Sequence, residues 1–271
     1  MTTTTAQAGN TTLEAGARWG FAARGVLYVL VGALALRVAF GGDDGKEADR
    51  SGALAELAEK PLGTAMLWVL GIGLVGMALW RLSEAVFGSE TGKRLLQAGR
   101  AVFYGFVAYS VLAFAAGDRG GGGGGGGAAG GSSDEKSRDV TARALELPGG
   151  QWIVGAAGAA LIGFGLVSAG RAALRKYHKH LKLGEMSRRV RRAADVTGVG
   201  GGVARGLLFA AAGTFAVRAA VRYEPDEAKG VDDTLRAFAD TPAGPWLLAL
   251  MALGLVLFGL FSFVMARWRR V

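Results

Sequence analysis

Six apolar runs, at about 17–40, 63–87, 100–116, 150–170, 203–221 and 245–268, constrain the fold of this 271-residue chain more than any other feature. At about 1.5 Å of rise per residue, a helix of about 20 residues crosses the roughly 30 Å hydrocarbon core of a bilayer. A segment in lipid must satisfy its backbone groups internally, so runs of this length predict helices. Composition agrees, with 51% hydrophobic residues, 46 glycines and a mean hydropathy of +0.31. Small residues at that frequency let helices approach one another closely in lipid. The predicted fold class is an all-α integral membrane protein with six transmembrane helices, arranged as three tandem helical hairpins.

The runs repeat. Ala23-Arg24-Gly25-Val26-Leu27-Tyr28 opens the first, Gly99-Arg100-Ala101-Val102-Phe103-Tyr104 the third and Ala204-Arg205-Gly206-Leu207-Leu208-Phe209 the fifth. Aligned on the arginine, Tyr28, Tyr104 and Phe209 correspond, then Gly32, Ala108 and Gly213, on one helix face at four-residue spacing. Before the even runs stand Pro61, Pro148 and Pro242, followed by Gly63, Gly150 and Gly244. Each unit is helix, acidic loop, proline, helix. Every unit begins and ends on the same side, so the expected symmetry is a pseudo-threefold arrangement about the membrane normal, not an inverted repeat.

The expected organisation is a disordered Thr-rich tail over 1–16, repeat 1 over 17–90, repeat 2 over 91–170, a basic amphipathic linker over 171–196 and repeat 3 over 197–271. Leu54, Leu57 and Ala58 predict a short amphipathic helix before Pro61. Eight consecutive glycines, 120–127, fall in a flexible linker, 120–131; no Gly-Lys-Ser/Thr follows, so this is not a phosphate-binding loop. The linker at 171–196 carries Arg171, Arg175, Lys176, Lys179, Lys182, Arg188, Arg189, Arg191 and Arg192 against Glu185 and Asp195. Two short amphipathic helices broken near Gly184 are expected there. Lys and Arg concentrate on the side holding both termini, which the positive-inside rule places in the cytoplasm.

Three features together resemble the bacterial domain-of-unknown-function 1206 family. They are the Ala-Arg-Gly-aromatic starts, the proline-glycine entries to the even helices, and the linker Lys176-Tyr177-His178-Lys179-His180-Leu181-Lys182 followed by Gly184-Glu185-Met186-Ser187. The resemblance covers about 16–267 and implies six membrane helices in three two-helix modules. It implies no molecular activity. The second module departs from the pattern, with Ala101 where the others have Gly25 and Gly206, and with the polyglycine insert.

Arg24, Arg100 and Arg205 are candidate contacts for an anion or lipid phosphate at the cytoplasmic end, weighed against a role as snorkelling anchors. The nine cations of the linker are candidate contacts for anionic head groups. Glu84 is expected to pair with Arg81 or Arg171. His178 and His180 point to different faces, which argues against a metal site. The chain has no cysteine and no nucleophile elbow, zincin or dinucleotide signature, so neither enzymatic activity nor a cofactor is expected. A basic segment flanked by membrane spans suits a lipid surface better than nucleic acid. The expected function is a lipid- or partner-binding membrane module, with a bilayer rich in anionic lipid or a membrane protein as partner; the alternative is a small channel or anion carrier along the threefold axis.

Overall fold

A computed structural model describes residues 3–40, 48, 50–59, 61, 63–87, 91–116, 133–239 and 244–269. The α-helices among them are α1 (Thr3–Ala39), α2 (Arg50–Ala58), α3 (Gly63–Phe87), α4 (Thr91–Ala115), α5 (Ser133–Leu145), α6 (Gly150–Ala173), α7 (Arg188–Arg222), α8 (Val231–Ala239) and α9 (Gly244–Trp268). Six of these, α1, α3, α4, α6, α7 and α9, are long and apolar enough to cross a membrane. Even in α9, the most enclosed, only 50% of the apolar window is buried, so the remaining apolar surface faces outward as a bilayer requires. Trp152 and Trp246, each four residues after its module's proline, are 82% and 75% exposed at the starts of α6 and α9. Indole rings in that position match the aromatic belt of a membrane interface.

Several boundaries differ from the sequence expectation. Helix α1 runs back through the Thr-rich segment to Thr3, because no proline or turn signal interrupts its backbone ladder before Ala39. The polyglycine linker lies outside the described residues. In the basic linker the break near Gly184 is present, but the first half forms two 3-10 turns, Lys176–His180 and Leu183–Glu185. Its second half is the start of α7, one continuous 35-residue helix capped by Ser187, whose Oγ accepts from the Val190 N–H at 3.4 Å. Helices α5 and α8, both in stretches expected as loops, show that every module carries a short helix before its proline. Positions seven residues before the prolines, Leu54, Thr141 and Leu235, are all buried.

The chain forms two compact units, 1–26 with 54–130 and 262–271, and 27–53 with 131–261. In the first, α3 packs along α4, and Phe21, Leu67, Leu74, Met77 and Val111 are fully buried. Helix α1 joins through Gly16, against which a Cβ added at Gly76 would stand 2.9 Å from the Cα. In the second, α6 packs along α7 on a reciprocal glycine seam. A Cβ at Gly165 would lie 2.5 Å from the Gly206 carbonyl oxygen, and one at Gly213 would lie 2.7 Å from that of Gly158. Any side chain there would force the helices apart. Packing thus crosses module boundaries, since α3 with α4 and α6 with α7 each join successive modules.

Loops of all three modules meet inside the second unit. Asp232 accepts from the Ala48 N–H at 2.7 Å and from Arg236 Nε at 2.8 Å. Asp134 accepts from the Asp233 N–H at 3.2 Å, and Arg138 pairs with Asp233. Tyr223, the left-handed C-cap of α7, donates its hydroxyl to the Leu145 carbonyl at 2.6 Å.

Candidate functional site

In the first unit, the middle of α1, the last turns of α3, the first half of α4 and the residue after α9 bring Arg24, Arg81, Arg100 and Arg269 together. Phe21 and Trp80, nearly fully buried, meet edge to face at 5.8 Å between ring centroids. The Arg269 guanidinium lies over both rings, 4.9 Å from Phe21 and 4.7 Å from Trp80. Arg81 lies 4.2 Å from Trp80, and Arg24 lies 5.0 Å from Phe21. Each contact sets a cation on the negative face of a ring, where it gains most when water is excluded. Arg81, 5% exposed, donates from Nη1 to Glu84 at 2.8 Å and to Gln97 at 3.2 Å, which is one of the pairings expected for Glu84. Arg24 donates to Ser262 at 3.2 Å and Tyr104 at 3.4 Å; Arg100, exposed, donates to Gln97 at 3.4 Å. Burial, then the neighbouring charge of Arg81, pulls Arg269 down to about 9, so it is still a cation at neutral pH.

Arg205 belongs to the second unit. Its Nε donates to the Tyr28 hydroxyl at 2.9 Å, and its guanidinium lies 4.8 Å from Phe209 and 4.9 Å from Phe258. The repeat explains the pairing: the arginine of module 1 bonds the tyrosine of module 2, and the arginine of module 3 bonds the tyrosine of module 1.

The basic segment builds two open grooves around the first turns of α7. One, of about 540 Å³, is lined by Arg175, Arg188, Arg191, Arg192 and Asp195 over Val196, Val199 and Gly200. The other, of about 510 Å³, is lined by Arg188, Arg189 and Arg192 over Ala193, Val196 and Thr197. The guanidinium groups are exposed and the floors apolar. Of the remaining linker cations, Arg171, Lys176 and Lys179 are exposed outside these linings, and Lys182 is half-buried near Glu185 at 3.9 Å.

Asp195 ties the linker to α7. Its carboxylate takes the Tyr177 hydroxyl at 3.3 Å, bonds His178 Nε2 and lies 3.7 Å from Arg175 Nη1. Arg175 holds a left-handed conformation, φ 51, which a side chain adopts at a cost of about 1 kcal/mol and which turns the chain out of α6. Burial and the adjacent Asp195 charge push the Tyr177 hydroxyl up to about 12. His178 thus serves a carboxylate latch. Asp134, Asp232 and Asp233 bring carboxylate oxygens within 4.8 Å of one another, but their bonds to Arg138, Arg236 and backbone N–H groups account for them as loop ties.

Sequence reasoning did not single out Arg269, Trp80 and Phe21 as one group, or Asp195 as the hub of the linker. Tryptophan and arginine near span ends were the only signal for the first. The second had none, because Asp195 pairs across 17 and 18 residues.

The family profile described as Domain of Unknown Function (DUF1206) matches three segments, 19–88, 97–175 and 200–269. An uncharacterized protein of Bacillus subtilis (strain 168), YxxB, is 31% identical over 255 residues, covering 90% of this chain and 87% of that protein. No solved structure matches. Each matched segment holds one of the three aligned arginines and one of the three aligned prolines, and the chain belongs to the DUF1206 family of bacterial membrane proteins.

Proposed function

We propose that this protein is a non-enzymatic module of the bacterial inner membrane, with both termini in the cytoplasm, that binds anionic phospholipid head groups through residues 171–196. The observation that carries the reading is the pair of arginine-rimmed, valine-floored grooves on the first turns of α7. Guanidinium groups take phosphate oxygens in bidentate geometry, and basic residues near an anionic surface contribute about 1 kcal/mol each. The apolar floor gives the upper acyl chain a surface to lie on. The cyclic pairing of Arg24 with Tyr104 and of Arg205 with Tyr28 supports a pseudo-threefold arrangement of the modules, as does the meeting of all three modules' loops around Asp232. In this reading those arginines serve first to hold modules in register.

The test is lipid selectivity of the full-length protein in mixed bilayers, read with spin-labelled phosphatidylglycerol against spin-labelled phosphatidylcholine. Wild type should enrich phosphatidylglycerol, and the preference should fall by about half or more between low and physiological salt, because exposed charges are screened over about 8–10 Å. Arg188→Gln/Arg191→Gln/Arg192→Gln should lose most of it. Equal enrichment in the triple variant would overturn the assignment.

A further inference from the structure

The grooves on α7 do not account for the arginines of the first unit. There, among the described residues, two donors are left over: Arg81 Nε and Arg269 Nε are buried and have no hydrogen-bond acceptor. A buried N–H without an acceptor loses its hydration for nothing in return, so native structures almost always supply a partner, from protein, water or a bound ion. The local charge points to an ion of one sign. Arg81, Arg24 and Arg100 all act on Arg269 as like charges, and Glu84 acts as the opposing one. Glu84 is already committed to Nη1 of Arg81.

The aromatic rings take the faces of these cations but not their edges. A guanidinium stacked on a ring keeps its N–H groups in its own plane, directed away from the π system, where a planar or tetrahedral oxyanion can accept them. Phe21 and Trp80 therefore hold Arg81 and Arg269 through their ring faces, and Arg81 Nε and Arg269 Nε remain without an acceptor among the described residues. Arg269 follows the last residue of α9, Arg81 lies near the end of the α3 span and Arg100 near the start of the α4 span, where a spanning helix meets the phosphate layer.

We infer that Arg81 and Arg269, supported by Arg24 and Arg100, form a binding site for a phosphate-type oxyanion, distinct from the grooves on α7. Phosphate chemistry can arrive as a phospholipid head group or as free phosphate, and the site's charge and donor geometry suit both.

The test uses full-length protein in zwitterionic nanodiscs, titrated calorimetrically with inorganic phosphate and, separately, with a short-chain phosphatidic acid. Wild type should bind at least one of them saturably. Arg269-dependent binding of inorganic phosphate identifies a solute site, and Arg269-dependent binding of phosphatidic acid alone identifies a head-group site. Arg269→Gln, at the end of α9, should weaken binding by about tenfold or more, the scale of one hydrogen bond to a charged group. Arg269→Lys, which retains the cation, should fall between the two and decides the matter if the glutamine variant is poorly folded. Arg143→Gln, an exposed side chain of α5 outside both regions, should bind as wild type. The assignment is overturned if wild type binds neither probe, if both Arg269 variants bind like wild type, or if Arg143→Gln weakens binding as much as Arg269→Gln does. Failure here leaves the selectivity test of the α7 segment untouched, because the two experiments use different residues and different readouts.

Discussion

The two arginine-rich regions use the same side chain under opposite conditions. In the first unit Arg24, Arg81 and Arg269 lie against Phe21 or Trp80, Arg81 with little access to water, and rings, a hydroxyl and Glu84 fix their positions. On α7 they stand on the surface, and Asp195 is the carboxylate lining their larger groove. A buried cation is costly to strand and therefore specific in what it accepts, whereas an exposed one contributes little alone and is screened by salt. One region is suited to holding a single ion in a set geometry, the other to a fluid layer of head groups.

The largest effect that would break this contrast is on stability. Arg81→Ala removes a side chain that is 5% exposed, uncovers Trp80 and leaves Glu84 without its partner. It should cost about 3 kcal/mol, the lower end of losses for breaking a buried ion pair. Arg191→Ala, on the exposed rim, should stay within about 0.5 kcal/mol. Thermal unfolding in detergent compares the two, and equal losses would erase the distinction.

A smaller effect should mark where the exposed region is itself anchored. Asp195→Asn keeps the shape but removes the charge that holds His178 and Arg175, worth about 1–2 kcal/mol as a charge-assisted contact. Amide exchange over 176–186 should quicken by about tenfold, while α3 and α4 keep their protection. Unchanged exchange would mean that the 3-10 turns hold without the latch.

The smallest effect appears only in alkali. Tyr177 titrates near 12 when docked against Asp195, above its ordinary value of 10. The undocked phenol loses its proton first, so the contribution to docking is fully present below pH 10 and is lost as pH rises to about 12. Tyrosinate absorbance should show a late-titrating group in wild type that disappears in Tyr177→Phe.

How much of this was legible beforehand depended on where the information lies along the chain. The six spans were readable because each is a local apolar run, and α2 because Leu54 and Leu57 repeat at helical spacing. Helix α5 was missed because Asp134, Glu135, Arg138 and Asp139 give it a loop-like composition. Helix α8 had a signal, Val231, Leu235 and Phe238 at i, i+4 and i+7, that its acidic residues obscured. Arg24, Arg100 and Arg205 could be aligned, but not their partners: nothing local to Arg205 announces Tyr28, 177 residues away. The cluster around Arg269 is likewise made by residues from four separate helices.

Helix α7 carries a consequence of its own. Its 35 residues make a rod of about 52 Å, some 20 Å longer than the hydrocarbon core. A rod of this kind cannot twist freely between its ends, so the azimuth of Arg188, Arg191 and Arg192 is set by the face that Gly206 and Gly213 press against α6. Inserting one residue between Arg192 and Gly201 would rotate the charged end by about 100° while leaving the seam in place. The direction in which the cations look is thus decided far from them, by two positions where a hydrogen atom stands in place of a side chain.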